Sequence, residues 1–540
     1  MISRREFLLL SGIASAAALI NWKCPALAKG GKAHKGQYDA IIIGAGLGGL
    51  SCAGFLARNH FKPLVIERHD KPGGYATSFH RGAFTCEVSL HGITGNPQNE
   101  ELLKELGVGE KITLVPHEYS WSSVYPDFTL DLPVCDLDCI EEILVGMFPD
   151  EEPGLSKYMN CWENLLAEIE EFYKTGMPGD PNQFCNLYPI WCSMMGKTLA
   201  VLQNKYIQDQ QLKAILGQSW PYYGVPPSQI PSWFYQMVTG FYHRYGNFNI
   251  RGTSQSLSDA LVGIITDGGG EVILKTEVTE IMLDKNGRAV GVKANGHEYY
   301  GNAVVSNAAV PRTFGELLPH WVELPPDYLN KISASHVSTS TFNVWLGLNR
   351  DITNEIPQSN VIVYPGYNHW ELYQGTRECN PEESGFAMVI FDKLVDGFSP
   401  KGCSSIVLAT LSGYEPWRQF EADYFAGKKK KYYEEKDRIT ETLISLAEEH
   451  LLPGLRQMII MQDASTPLTN VRYTLNTQGA IYGYDQTMDN SGFDRLGNRT
   501  PIEGLYLSSA WSYPGGGYEP VLLAGKEAFK CMIEDWFGVI

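Results

Sequence analysis

The sequence predicts an α/β fold in which one glycine-marked domain arrives in three pieces, separated by a second, mixed-sheet domain that carries a helical insertion. Three observations predict it. A strand, a glycine turn and a helix occupy residues 38–67. Two hairpin signals and a closing strand fall within 252–310. A strand, a glycine-rich turn and a helix run from Gly504 to the end.

In the first piece, Tyr38-Asp39-Ala40-Ile41-Ile42-Ile43 is a short apolar run suited to a buried parallel strand. Gly44-Ala45-Gly46-Leu47-Gly48-Gly49 places Gly44, Gly46 and Gly49 in a G-x-G-x-x-G pattern. Leu50, Ala53, Gly54 and Ala57 then share one face of a helix, and Pro63-Leu64-Val65-Ile66 forms a second strand ending on Glu67. The first glycine permits the tight turn, the second lets backbone approach a pyrophosphate, and the third brings helix and strand together. The helix N-terminus at Leu47 and Gly48 attracts the anion, and Glu67 can take ribose hydroxyls. Strand, glycines, small-residue helix and acid together specify a dinucleotide site.

The second piece begins with a helical pattern from Ser256 to Ile265, then Asp267-Gly268-Gly269-Gly270 and the strand Glu271-Val272-Ile273-Leu274. Asn286-Gly287 and Asn295-Gly296 are hairpin turns between strand-like runs. Ala303-Val304-Val305-Ser306-Asn307-Ala308 closes the unit as a strand ending in small polar residues, with Asn307 a cofactor contact. A β-meander joined to a dinucleotide fold marks an FAD-binding protein rather than a plain NAD dehydrogenase. Val278, just past the Leu274 strand, is expected to meet the adenine.

The third piece is the strand Gly504-Leu505-Tyr506-Leu507, running into Ser508, Ser509, Ala510 and Trp511, with Ser509 and Ala510 expected at the cofactor. Pro514-Gly515-Gly516-Gly517-Tyr518-Glu519-Pro520 makes a glycine-rich turn, and Pro520 is placed to open a helix from Val521 to Trp536. Gly517, Pro520 and Val521 would then present free amides to the flavin, stabilising negative charge on its reduced form. The predicted fold is therefore a split Rossmann-like FAD-binding domain with a β-meander, plus a mixed-sheet substrate domain with a helical insertion. Its parts are FAD-binding residues 37–115, 246–315 and 466–540, a helical and aromatic substrate part at 116–245, and a substrate-domain sheet at 316–465.

At the N-terminus, Ser3-Arg4-Arg5-Glu6-Phe7-Leu8 is a twin-arginine pattern, followed by an apolar run to Ile20 and a small-residue cleavage site at Ala26-Leu27-Ala28. Residues 1–28 are expected to be a signal peptide read by the twin-arginine export machinery, giving a periplasmic or otherwise exported protein. An uncleaved anchor is the alternative. The net charge of −18 argues against nucleic acid and against general attraction to anionic surfaces. Lys428 to Lys431 is the one basic run, expected to be a solvated helix face, with a peripheral membrane contact as the second reading. The eleven cysteines have irregular spacing without paired C-x-x-C units, which argues against zinc; Cys135 and Cys139, the closest pair, are expected to be buried free thiols.

Glu67-Arg68-His69-Asp70-Lys71-Pro72-Gly73-Gly74-Tyr75-Ala76-Thr77-Ser78-Phe79 resembles the segment after the second strand in phytoene desaturases, carotenoid isomerases and retinol saturases. Gly479-Ala480-Ile481-Tyr482-Gly483 and the stretch from Gly504 through Gly517 resemble later motifs of the same group, so the resemblance spans nearly all of the chain after residue 28. It implies an amine-oxidase-like flavoprotein fold, FAD, cofactor contacts at Arg68, Gly73, Gly74, Tyr75, Ala76 and Thr77, and chemistry on carbon–carbon double bonds of long apolar substrates. Two segments depart from it. Cys86-Glu87-Val88-Ser89 replaces a common Phe-Asp-x-Gly, and Tyr518-Glu519-Pro520 replaces a smaller, more apolar run. His91 resembles a histidine of the retinol-saturase-like members.

Flavin N5 transfers hydride without a protein nucleophile, so no triad or metal motif is expected. Saturation also needs a proton donor, for which His91, Glu87, Tyr518 and Glu519 are the candidates; His91 is equally well explained as a satisfied core histidine. The aromatics and methionines of 185–247, among them Tyr188, Trp191, Met194, Trp220, Tyr222, Trp233 and Tyr242, are expected to split between domain core and an apolar substrate channel. Ser340–Leu346 and Ile406–Thr410 suggest a sheet forming the other wall. An exported enzyme would exchange electrons with a quinone, a cytochrome or another redox protein rather than a nicotinamide. The alternatives are an exported flavin amine oxidase acting on a C–N bond, and a carrier protein built on a flavoprotein fold.

Overall fold

In the computed structural model the described residues are 37–538, apart from 91, 177 and 179; the expected signal peptide lies outside them. The chain opens with β1 (Ala40–Ile43), whose four apolar residues are all buried because strands flank both its edges and helices cover its faces. It leads through Gly44–Gly46 into α1 (Leu47–Arg58) and then β2 (Pro63–Ile66). Much later come α2 (Ser254–Asp267), β3 (Glu271–Ile273) and β4 (Val304–Ser306). The C-terminus supplies β5 (Leu505–Leu507) and α3 (Tyr518–Phe537). The five strands form one parallel sheet in the order β3-β2-β1-β4-β5, with Ile42 beside Val65 on one side and Val305 on the other. The split α/β domain expected from sequence is therefore observed.

Between β3 and β4 a meander of three antiparallel strands, Val278–Leu283, Ala289–Ala294 and His297–Tyr300, occupies the predicted hairpin region. Asn295 (φ 46°) and Gly296 (φ 80°) make the second turn, both in the left-handed region that a two-residue hairpin turn of this hand requires.

The second domain is built on a seven-stranded mixed sheet. Its order is Ile459–Ser465, Ser340–Leu348, Ser404–Ser412, Phe386–Val389, Asn360–Val363, Tyr119–Val124 and Thr129–Pro133. The last two strands come from the segment expected to be helical and aromatic, and they join the sheet through a parallel pairing of Ile362 with Ser123. The rest of that segment is helical. Glu152–Thr175 buries Leu155, Tyr158, Met159, Trp162, Leu165, Leu166, Ile169 and Phe172, a stripe at three- and four-residue spacing.

That stripe corrects the expectation for the aromatics. Tyr188, Trp191, Met194, Trp220 and Phe241 pack with it in one core, and Tyr223 and Tyr235 pack in another. From residues 185–247, only Trp220, Pro221 and Tyr222 line the large cavity described below. Aromatic density marks burial, and here the partner is mostly protein. The cysteine expectation is corrected too: Cys135 is bonded to Cys139, and Cys185 to Cys192. Asp136 caps the helix Leu137–Met147 through the Cys139 amide, and this first turn holds the two Cα atoms of the first pair 6.1 Å apart. Among the described residues, no helix is long and apolar enough to cross a membrane.

α1 and α3 cross at close range. Ser51 Oγ in α1 donates to the Leu522 carbonyl of α3 at 2.6 Å, and a Cβ built on Gly525 would lie 2.5 Å from Ser51 Cβ. A Gly525→Leu variant should therefore lose stability of the order of 1–3 kcal/mol by overpacking, measured by urea denaturation. It should also retain less cofactor, because both helix N-termini face the same cavity. Wild-type stability in this variant would show that the crossing is not tight.

Candidate functional site

A cavity of about 920 Å³ runs from the glycine turn after β1, along the C-terminal ends of the parallel strands, to the face of the seven-stranded sheet. This is the end of an open parallel sheet where ligands bind. Two helices begin on it. α1 has Gly46 as its N-cap and α3 has Gly517, and neither N-cap residue supplies a side-chain capping hydrogen bond. Gly517 sits at φ 119°, a conformation that excludes most side chains.

Asn307, at the end of β4, fastens the pieces together. With its amide nitrogen toward the Ser508 carbonyl (2.7 Å) and its oxygen toward the Gly46 amide (3.1 Å), it joins the ends of β4 and β5 to the turn before α1. Side chains on Gly44 or Gly46 would strike Asn307, and one on Gly48 would strike the Ser508 backbone. Glu67 accepts from the Ala45 and His69 amides at 2.8 and 2.7 Å, which points its carboxylate across the mouth of the glycine turn. Arg68 donates to the Arg472 and Tyr473 carbonyls, tying the segment after β2 to the helix Pro467–Thr474 that packs on the seven-stranded sheet.

The structure gathers most of the residues proposed from sequence onto this cavity. Gly44, Gly46, Leu47, Gly48, Glu67, Arg68, Gly73, Gly74, Tyr75, Ala76, Thr77, Val278, Asn307, Ser509, Ala510, Gly517, Tyr518 and Val521 all line it. Gly49 does not; a side chain there would meet Ile42 and the Gly44 carbonyl, so its role is close helix–strand packing. Pro520 does not either, and the helix it was expected to open begins two residues earlier, at Tyr518. Pro520 sits in the first turn, where its missing amide costs no hydrogen bond. A dinucleotide fits this arrangement: two helix starts with glycine N-caps, glycines where a Cβ would intrude, and a carboxylate beyond the second strand.

The proton-donor candidates separate. Tyr518 lines the cavity, and its hydroxyl lies 2.8 Å from Ser89 Oγ, which in turn donates to the Tyr75 carbonyl at 3.0 Å. Burial holds the phenol well above its ordinary pKa, with the neighbouring Glu87 adding to the shift. Glu87 is 1% exposed and does not line the cavity; it accepts from the Ser254 amide at 3.1 Å and from the Ser254 hydroxyl at the start of α2. Burial pushes its pKa up to about 8, against the opposing Ser254 hydrogen bonds. Glu519 is held by the Thr94 amide (2.5 Å), the Thr94 hydroxyl (2.7 Å) and Asn99 (3.2 Å), away from the cavity lining. His91 lies outside the described residues.

The runs 340–346 and 406–410 supply part of the other wall as expected, and the remaining participants carry no sequence signal. Thr341, Asn343, Trp345, Ile362, Tyr364, Phe386, Ala387 and Ala409 present the sheet's face to the cavity. The Trp345 indole donates to the Glu87 carbonyl at 2.6 Å, and Phe79 packs edge-on against it at 5.0 Å. Arg495, 2% exposed, donates to the carbonyls of Tyr484, Asn490, Ala510 and Ser512, fixing the strand exit that leads to α3. Tyr482 and Gly483 of the resembling motif wedge beside this turn, with Gly483 against the Ala510 carbonyl. Among the described residues no group of three or more His, Cys, Asp or Glu could hold a metal ion.

Residues 42–106 match the NAD(P)-binding Rossmann-like domain family. The chain is similar to prolycopene isomerase, chloroplastic, of Daucus carota, 27% identical over 515 residues, covering 91% of this chain and 79% of the relative. It is 25% identical to all-trans-retinol 13,14-reductase of Danio rerio, covering 87% of this chain and 82% of the relative. Phytoene desaturase (neurosporene-forming) of Rhodobacter capsulatus is also 25% identical, with 93% and 95% covered. Among solved structures, an oxidoreductase from Methanosarcina mazei matches with a TM-score of 0.61 at 16% identity, over 91% of this chain and all 100% of the other. Putrescine oxidase bound to putrescine matches with a TM-score of 0.58 at 14% identity, over 92% of this chain and 98% of the other; at such identities the likeness shows the fold alone. The resemblance to the desaturase, isomerase and saturase group, seen first in the glycine motifs, thus extends over most of the chain.

Three buried carboxyls, Glu87 at about 8 and Asp485 and Glu527 at about 7, have pKa values raised mainly by burial. They keep protons that the unfolded chain releases at its ordinary pKa of roughly 4. At these three groups the unfolded state then binds fewer protons, so their contribution to stability is full below about pH 4 and is lost as pH rises toward about 8. Burial lowers His243 and His369 to about 4, and these imidazoles act in the opposite sense up to about pH 6.5. The melting temperature should therefore drop between about pH 6.5 and about pH 8, and less steeply in Glu87→Gln. A melting temperature unchanged over that interval in the wild type would contradict these carboxyl burials.

Proposed function

We propose that the protein is an FAD-dependent oxidoreductase acting on C=C bonds, by saturation, desaturation or isomerisation, in a hydrophobic polyene, isoprenoid or other lipid-like substrate. The observation that carries this reading is the continuity of one cavity: the same space that fits a dinucleotide along the glycine turn opens directly onto the apolar face of the sheet. The named relatives act, by their names, on prolycopene, retinol and phytoene, all of them long polyenes.

Glycine-turn amides and the start of α1 would hold the cofactor's pyrophosphate, Glu67 its ribose and Val278 its adenine. The start of α3 would face the flavin's pyrimidine edge, where its dipole favours negative charge. When bound, the flavin supplies a hydride acceptor and donor at N5. The chain's own part is to orient and to manage protons. Trp345, Phe79, Ile362 and Phe386 exclude water from the apolar region. Tyr518 is the hydroxyl at the junction of the two regions, kept protonated by burial and oriented by Ser89, so it is the proposed proton donor. Glu87 acts behind it as a positioning residue, through Ser254 and the start of α2.

The N-terminal pattern Ser3-Arg4-Arg5 supports export by the twin-arginine machinery, and the two disulfides suit an oxidising compartment. Electrons would then come from or go to a quinone, a cytochrome or another redox protein.

The test is to purify the protein, identify its flavin, reduce it without oxygen and mix it with a panel of polyenes. One polyene should reoxidise the flavin while losing conjugation. Tyr518→Phe should keep the flavin and slow that step by about 10²–10⁴-fold. A flavin that stays reduced with every polyene would remove the saturase form of the proposal, and amine-dependent peroxide formation would favour C–N chemistry instead.

A further inference from the structure

The sheet-side end of the cavity is not uniformly apolar. Arg81, Lys429, Lys436 and Arg472 all line it, in a chain whose net charge is −18. They form one cluster. Lys429 lies 4.1 Å over the Tyr424 ring, Lys436 5.9 Å over the Tyr433 ring, and Tyr432 touches both tyrosines. Arg472 stands beside Tyr424 and Tyr473.

The negative charge here does not match them. Asp463 is the carboxylate that the second domain contributes to the lining, and Arg81 Nε already holds its Oδ2 at 2.5 Å. Its Oδ1 accepts from the Ala464 amide and stands 3.8 Å from Lys436 Nζ, beyond hydrogen-bond reach. Asp70, from the cofactor domain, is paired with His69 at 3.1 Å. The side chain of Lys436 is only 16% exposed, and among the described residues its ammonium makes no hydrogen bond. A mostly buried ammonium with three donors, whose one ion-pair partner Asp463 stands at 3.8 Å and is already held by Arg81, is costly unless a ligand completes it. Lys429 and Arg472 have no carboxylate within ion-pair distance among the described residues, and both face the same space.

We propose that this end of the cavity binds an anionic end group, a carboxylate or a phosphate, on an elongated apolar substrate, with Lys436 as the central contact and Arg472 and Lys429 flanking it. The proposal rests on the reading of the cavity as a polyene site and narrows it: the substrate is an amphipathic acid rather than a neutral hydrocarbon or alcohol. Such a charge would fix which double bond reaches the cofactor, because one end of the chain is pinned while the apolar body lies along the sheet.

The experiment uses the flavin-loaded protein and two fluorescent probes, cis-parinaric acid and its methyl ester, titrated at low ionic strength. The acid should bind about tenfold more tightly than the ester, the factor expected of one partly buried charge contact. Lys436→Gln should erase the preference and Lys436→Arg should keep it, which separates lost charge from lost folding. Lys428→Gln, just outside the lining, should leave the ratio unchanged. Equal binding of acid and ester, or a preference that survives Lys436→Gln, would overturn the proposal while leaving the polyene site standing. Failure of both probes to bind would overturn the polyene site together with it. Sedimentation with phosphatidylglycerol vesicles supplies the last arm. Vesicle binding lost in Lys436→Gln without any change in the acid-to-ester ratio would assign the cluster to a membrane surface and overturn the substrate proposal.

Discussion

The close crossing of α1 and α3 is the constraint on which the rest of the site depends. Helices normally sit roughly 8–10 Å apart, at a spacing set by the side chains at their contact. Here Ser51 and Gly525 remove most of that bulk, and the Ser51 hydroxyl bonds to the Leu522 carbonyl at 2.6 Å. The two helices therefore begin on one cavity, each from a glycine N-cap without a side-chain capping bond. Asn307 completes the junction by bridging the turn before α1 to the end of β5. Everything placed in the cavity inherits its position from this small set of contacts.

Polar contacts as well as packing tie that junction to the seven-stranded sheet and to the segment that follows it. The Trp345 indole donates to the buried Glu87 carbonyl, Tyr75 donates to the Gly479 carbonyl at 3.1 Å, and at an exposed edge the Arg68 guanidinium donates to the carbonyls of Arg472 and Tyr473. A neutral hydrogen bond such as the first two contributes about 1 kcal/mol net, but leaving a buried partner without one costs more. The directional bonds thus fix the angle between the domains, and apolar burial supplies most of the cohesion. That division suits a site whose substrate region lies on one domain and whose cofactor region lies on the other.

The cofactor domain was largely legible in the sequence because its signals are local. Glycines at fixed spacing, Asn-Gly pairs and short apolar strands each report a backbone geometry that their own residues demand. The strands of the substrate wall were legible as the runs 340–346 and 406–410, but the side chains that face the cavity were not, because Asn343, Trp345 and Ala387 are ordinary strand residues until pairing brings them to one face. Aromatic density at 185–247 was misleading for a related reason: composition says that a side chain is buried, not whether protein or ligand covers it. The Tyr518–Ser89 contact joins residues 429 positions apart, and Arg495 binds only carbonyls, which every residue has. The Cys135–Cys139 bond was obscured by irregular cysteine spacing, although a capped helix start brings such residues together.

The Ser51–Leu522 contact spans 471 residues of chain, and β4 gains its neighbour β5 from the same C-terminal stretch. On a ribosome the first glycine turn emerges early, but α1 then lacks the helix that packs against it. Contacts of such separation form late, after the entropy of closing a very long loop has been met. The cradle is thus completed only when Tyr518–Phe537 has been made and has packed against α1. A nascent chain stopped short of that helix would hold the glycine turn without the partner that positions it.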